Sequence, residues 1–111
     1  MSEHQKMVDE FHKKFNLQHP EKIDFDNLNV KLRIALMQEE LDEFKAAASN
    51  NDPVGMIDAL TDLLYVTYGS AVSAGVDLDE YFKEVHRSNM SKLGPDGKPI
   101  YREDGKLLKP L

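Results

Sequence analysis

Five acidic side chains pose the first chemical question: Glu39, Glu40 and Glu43 in the run Glu39-Glu40-Leu41-Asp42-Glu43, and Asp58 and Asp62 in the segment that follows. Asp58 and Asp62 are the only charged residues between Pro53 and Val76, amid Val54, Met56, Ile57, Leu60, Leu63, Leu64 and Val66. The stretch reads as a buried helix, and an ionised carboxylate in such surroundings is costly unless a cation or hydrogen bonds compensate it. Four residues apart on a helix, the two aspartates project from one face, about 40° apart around the axis. Two helices that each offer carboxylates to a shared interior build an oxygen-lined site suited to Mg²⁺.

The elements that must position these groups are legible from periodicity. Residues 3–16 predict a first helix, with Met7, Val8, Phe11 and Phe15 on its inner side. His19-Pro20 marks residues 16–26 as a connector, because the residue before a proline avoids the helical region. A second helix is expected from about Asn27 to Ser49, with Val30, Ile34, Met37, Leu41, Phe44 and Ala48 as its apolar stripe. Leu32 and Leu36 lie away from that stripe, in the sector of Glu39 and Glu43, so the helix should be covered on two sides. Asp52 and Pro53 predict the cap and first turn of a third helix that Gly75 stops near Ala74. Asp77 and Glu80 form a capping-box pattern for a fourth helix ending near Ser91. The tail carries Asp96-Gly97 and Asp104-Gly105, the second joining residues 99–102 to 106–108 as a hairpin turn. The expected fold class is all-α, a four-helix bundle-like domain over residues 1–93 with a C-terminal tail over 94–111.

Composition narrows the function. The chain has 111 residues, enough for one domain and one core, and its formal charge of −6 disfavours binding to nucleic-acid phosphates. With no cysteine there is no disulfide, thiolate zinc site or cysteine nucleophile. The run Met1-Ser2-Glu3-His4-Gln5-Lys6 lacks the apolar core of a signal peptide, and Asp58 and Asp62 interrupt the best candidate for a membrane span. A cytoplasmic protein without membrane or nucleic-acid partners is expected.

Glu-Glu-x-x-Glu at Glu39, Glu40 and Glu43, followed by an acidic pair on the next helix, resembles the MazG-like all-α nucleotide pyrophosphohydrolases over about residues 28–93. The second half of that family pattern is usually Glu-x-x-Asp; Asp62-Leu63-Leu64-Tyr65 fits the aspartate, Ala59 stands where the glutamate would, and Asp58 is the nearest replacement. Asn89-Met90-Ser91-Lys92 is similar to the Asn-x-x-Lys that ends the family's last helix, and the tail is similar to a phosphoribosyl-ATP pyrophosphohydrolase-like branch. The resemblance implies hydrolysis of a nucleoside triphosphate between its α- and β-phosphates, with Mg²⁺, or Mn²⁺, as cofactor and a homodimer or homotetramer as the assembly. It implies Glu40, Glu43, Asp62 and Asp58 as metal ligands, and Glu39 as the group that orients the attacking water or as a further ligand. Asn89, Lys92 and Arg87 would contact phosphate or sugar. The basic residues of the tail (Lys98, Arg102, Lys106 and Lys109) suit a segment that closes over a triphosphate.

Other constellations fail. A di-iron bundle needs Glu-x-x-His on two helices, and the nearest match is the single Asp9-Glu10-Phe11-His12. His4, His12, His19 and His86 are too scattered for zinc, and no Gly-x-x-x-x-Gly-Lys loop is present. Tyr65, Tyr68, Tyr81 and Phe82 could stack on a base, but at helical spacing they read as core. The rival from another class is a non-catalytic helical oligomerisation module with structural or degenerate carboxylates.

Overall fold

The computed structural model describes residues 1–93, 96–99 and 101–106. Among them the fold is all-α, with helices α1 (Glu3–Lys14), α2 (Val30–Ser49), α3 (Pro53–Ser73) and α4 (Asp79–Met90). The chain divides into two compact units, Met1–Leu78 and Asp79–Leu111. No described helix is long and apolar enough to cross a membrane.

In the first unit, α3 is the central element, with α1 and α2 both packed on it. Each helix has a local reason to start where it does. Ser2 Oγ accepts from the Gln5 amide at 3.2 Å to cap α1, whose last turn carries His12, Lys13 and Lys14 near the negative end of the helix dipole. α2 begins three residues later than its periodicity suggests. Asn29 supplies the cap, accepting from Leu32 at 3.1 Å, while Asn27 is held in the preceding loop by the Asp24 carboxylate at 2.8 Å. Asp52 caps α3 as expected, accepting from the Gly55 amide at 3.0 Å, with Pro53 in the first turn.

The faces that meet differ from the apolar stripes of the sequence. α1 buries Gln5, Val8 and His12, leaving Met7 and Phe15 exposed. α2 buries Arg33 and Ala47, with half-buried Glu40 midway between them. Steps of seven residues return almost to the same helix face, so these three form one seam. The expected stripe is largely uncovered within the chain: Val30, Ile34 and Leu41 are exposed. The third helix is likewise not a buried helix within one chain, since Val54, Ile57, Leu60 and Leu64 are exposed and only Ala59, Gly69, Ala71, Val72 and Ser73 are buried. Small residues decide which face packs, because they allow close approach. A Cβ added at Gly55 would come within 3.1 Å of the Ala47 methyl.

The α1–α2 connector is fastened to the end of α3. The Asp24 amide donates to the Ala74 carbonyl at 2.8 Å, and Gln5 spans the α3–α4 connection, donating to the Val76 carbonyl at 2.7 Å and accepting from the Leu78 amide at 3.1 Å. Gly75 stops α3 in the left-handed region at φ +71°, where a Cβ would collide with the Lys22 carbonyl. Gly75→Ala is therefore expected to destabilise the chain by about 1–3 kcal/mol, read as a lower urea midpoint, since both strain and a backbone clash oppose it.

His12 gives a second expected result. Burial foremost holds its pKa below the ordinary 6.5, and the charge of Arg33 acts in the same direction against a raising hydrogen bond from Gln18. The unfolded chain then takes up the proton first as pH falls, so this contribution is complete above about pH 6.5 and is lost on acidification through the folded value. Between about pH 7.5 and about pH 5.5 the urea midpoint of the wild type should fall further than that of His12→Gln.

The second unit contains α4 and the tail. Leu93 and Pro99 form an isolated antiparallel bridge, and the turn at residues 102–106 is closed by an Arg102 amide to Lys106 carbonyl bond of 2.6 Å with Gly105 at φ +86°. No strand is present among the described residues. Leu107 and Leu108, on the far side of the expected hairpin, and Lys109 lie outside the described residues.

Candidate metal centre

α2 and α3 run antiparallel from the turn at residues 50–52, where Asn51 takes φ +52° and the Asp52 amide returns to the Ala47 carbonyl at 2.9 Å. Ten residues separate Glu40 from Asn50 and Asp62 from Asp52, so the two acidic positions stand at matching heights, about 15 Å from the turn. Glu43 follows Glu40 by three residues on the same helix side. The result is a convergent group: one carboxylate oxygen from each of Glu40, Glu43 and Asp62 lies within 4.8 Å of the others.

Glu43 and Asp62 are exposed and Glu40 is half-buried. Glu40 Oε2 is shielded from solvent without a hydrogen-bond partner. Burial, hydrogen bonding with Glu43 and then the charges of Glu43, Asp62 and Glu39 push the Glu40 pKa above its ordinary value. A buried, unsatisfied acceptor among like charges is a costly arrangement. A hard divalent cation would relieve all three of its penalties, and three carboxylates with room for water are the donor set that Mg²⁺ or Mn²⁺ takes. The donor chemistry fits.

Three of the five acidic residues singled out in the sequence are thus brought together. Glu39 contributes its charge to the shift at Glu40 but is not one of the converging ligands. Asp58, exposed and one helical turn from Asp62, also stands outside the group. On the seam of α3, one turn before Asp62, is Ala59, only 2% exposed and without a donor atom. Arg87, Asn89 and Lys92 belong to the second unit. Arg87 is exposed and holds Glu84 on its own helix through two bonds of 2.9 and 2.6 Å.

Sequence reasoning missed two buried polar side chains, Arg33 and His12. Arg33 is 8% exposed and donates from Nε to Ser70 Oγ and from NH2 to the Val66 carbonyl, both at 3.0 Å. His12 Nδ1 faces the Gln18 carbonyl at 2.9 Å. The signal was the seven-residue spacing of Arg33, Glu40 and Ala47. A separate cavity of about 460 Å³, lined by residues including Gln5, Asp9, Lys13 and Asp77, contains none of the cluster. Asp9 and Asp77 there form ion pairs with Lys13 and with the Met1 amino group.

The sequence profile of the phosphoribosyl-ATP pyrophosphohydrolase family matches residues 8–89. The chain belongs to that family, within the MazG-like nucleotide pyrophosphohydrolases. It is 31% identical over 80 residues to an uncharacterised protein of Acanthamoeba polyphaga mimivirus, an alignment covering 72% of this chain and 30% of that protein's length. A crystal structure of an Exiguobacterium sp. 255-15 protein assigned as an NTP pyrophosphohydrolase is similar at 28% identity and a TM-score of 0.49, covering 97% of this chain and 85% of that one.

Proposed function

We propose that the chain is a Mg²⁺-dependent nucleoside triphosphate pyrophosphohydrolase, with water and the triphosphate giving a nucleoside monophosphate and pyrophosphate, and that it works as a homodimer or homotetramer. The observation that carries this reading is the convergence of Glu40, Glu43 and Asp62 around an unsatisfied buried oxygen, in a chain of this family. Those three residues hold the metal, and Asp58 is the candidate for a fourth ligand supplied to the same face. When bound, Mg²⁺ neutralises charge on the phosphates and acidifies a coordinated water.

The protein's own groups do the rest. Glu39 would orient the attacking water and accept its proton, or serve as a further ligand. Asn89 and Lys92 bind phosphate or sugar, the lysine as a point charge. Arg87 can join them only by releasing Glu84, which makes it the weakest of the three contacts. Such an activity suits a house-cleaning or precursor-control role in nucleotide metabolism.

The reading is tested with a panel of ribo- and deoxyribonucleoside triphosphates, measuring pyrophosphate release with Mg²⁺ and with chelator. Release from at least one nucleotide, dependent on metal and lost in Glu40→Gln, is expected. No release from any member would favour the non-catalytic oligomerisation module.

A further inference from the structure

Arg33 is buried yet has no ion pair among the described residues. A guanidinium is expensive to remove from water without a carboxylate partner, so its retention calls for a specific return. Its bonds are directional. One edge of the fork meets α3 through Nε to Ser70 Oγ and NH2 to the Val66 carbonyl, and the Ser70 hydroxyl itself donates to that carbonyl at 3.0 Å. Gly69 leaves the space this needs: a Cβ there would collide with Arg33 NH2 and come within 3.2 Å of His12 Nε2.

The location supplies the return. Arg33 precedes Glu40 by seven residues, about 10 Å along α2 and on nearly the same face. Val66 follows Asp62 by one turn of α3. The guanidinium therefore ties the same two helices together, on the same seam, next to the place where Glu40, Glu43 and Asp62 repel one another. A slip of one residue between the helices would shift the carboxylates by about 1.5 Å and rotate them by about 100°. Oxygens gathered within 4.8 Å do not survive that as a group.

We propose that Arg33 is a positioning residue for the carboxylate cluster, fixing through Val66 and Ser70 the register of α2 on α3 at which Glu40, Glu43 and Asp62 hold one divalent cation. This deepens the metal-dependent reading above and rests on it. Arg rather than Lys is required, because only the planar fork reaches both acceptors at once.

The test uses the full chain and Mn²⁺ as the probe, with binding followed by electron paramagnetic resonance and folding by thermal melts in chelator. Wild type should bind Mn²⁺ and Glu40→Gln should not; if wild type fails to bind, or Glu40→Gln binds equally well, the metal reading itself falls and this inference with it. Given that control, Arg33→Lys should keep its helicity and a cooperative melt while its Mn²⁺ dissociation constant rises by about 10- to 100-fold, the range seen when an outer partner of metal ligands is lost. Ser70→Ala, which removes the Nε acceptor together with the hydroxyl's own bond to the Val66 carbonyl, should weaken binding in the same direction and covers the case in which Arg33→Lys does not fold. Wild-type Mn²⁺ affinity in either folded variant would overturn the proposal. Failure of both variants to fold would also overturn it, making Arg33 an anchor of the fold alone.

Discussion

Asp62→Asn is expected to lower turnover by more than about a hundredfold, beyond the effect of losing an outer partner of a metal ligand, while leaving the metal-free fold intact or more stable. The amide is nearly the size of the carboxylate but brings no charge to a cation. Without metal, Asp62 stands with Glu43 and Glu40 inside 4.8 Å, and its charge is one of those that push the Glu40 pKa up. Removing it relieves repulsion as it destroys the site. Initial rates with Mg²⁺ and thermal melts in chelator measure the two halves separately. A variant that melts well below wild type in chelator would make Asp62 a structural residue and misplace the site.

The second large effect concerns assembly. Val54, Ile57, Leu60 and Leu64 on α3 are 68%, 62%, 53% and 49% exposed in the single chain, and Ile34 on α2 is 58% exposed. An apolar surface of this kind on both helices is more than a monomer normally leaves to water, and a symmetric self-contact would cover it. Sedimentation at micromolar concentration is expected to show a dimer or tetramer. Ile57→Glu should dissociate it with concurrent loss of cooperative melting, since a charge buried at a symmetric interface is repeated in every copy. A stable, folded wild-type monomer at that concentration would contradict the expectation.

How far the sequence revealed this arrangement follows from what each signal measures. Helix caps and stops are local chemistry, and Asp52, Pro53 and Gly75 all mark the boundaries where they were expected. The start of α2 shifted because two asparagines compete for the cap, and Asp24 holds Asn27 in the loop. Apolar periodicity showed which faces avoid water, but it could not say whether another part of the same chain covers them. The seam between α2 and α3 is polar and small (Arg33, Glu40, Ala47 against Ala59, Gly69 and Ser70), so a search for hydrophobic stripes passed over it. The same limit applies to α1, where Gln5 and His12 are buried and Phe15 is not. Of the candidate ligands, Glu40, Glu43 and Asp62 were legible through the resemblance to the family's acidic pattern, and their oxygens converge. Glu39 and Asp58 are not among the oxygens that converge, although Glu39 adjoins Glu40 and Asp58 lies one helical turn from Asp62.

The most direct test of the central claim is ³¹P NMR of the products formed from the preferred nucleoside triphosphate by wild type and by Asp62→Asn, each with Mg²⁺ and with chelator. The account predicts equal amounts of nucleoside monophosphate and pyrophosphate from wild type with Mg²⁺, and intact triphosphate in the other three samples. A nucleoside diphosphate with inorganic phosphate, or equal cleavage by Asp62→Asn, would contradict it.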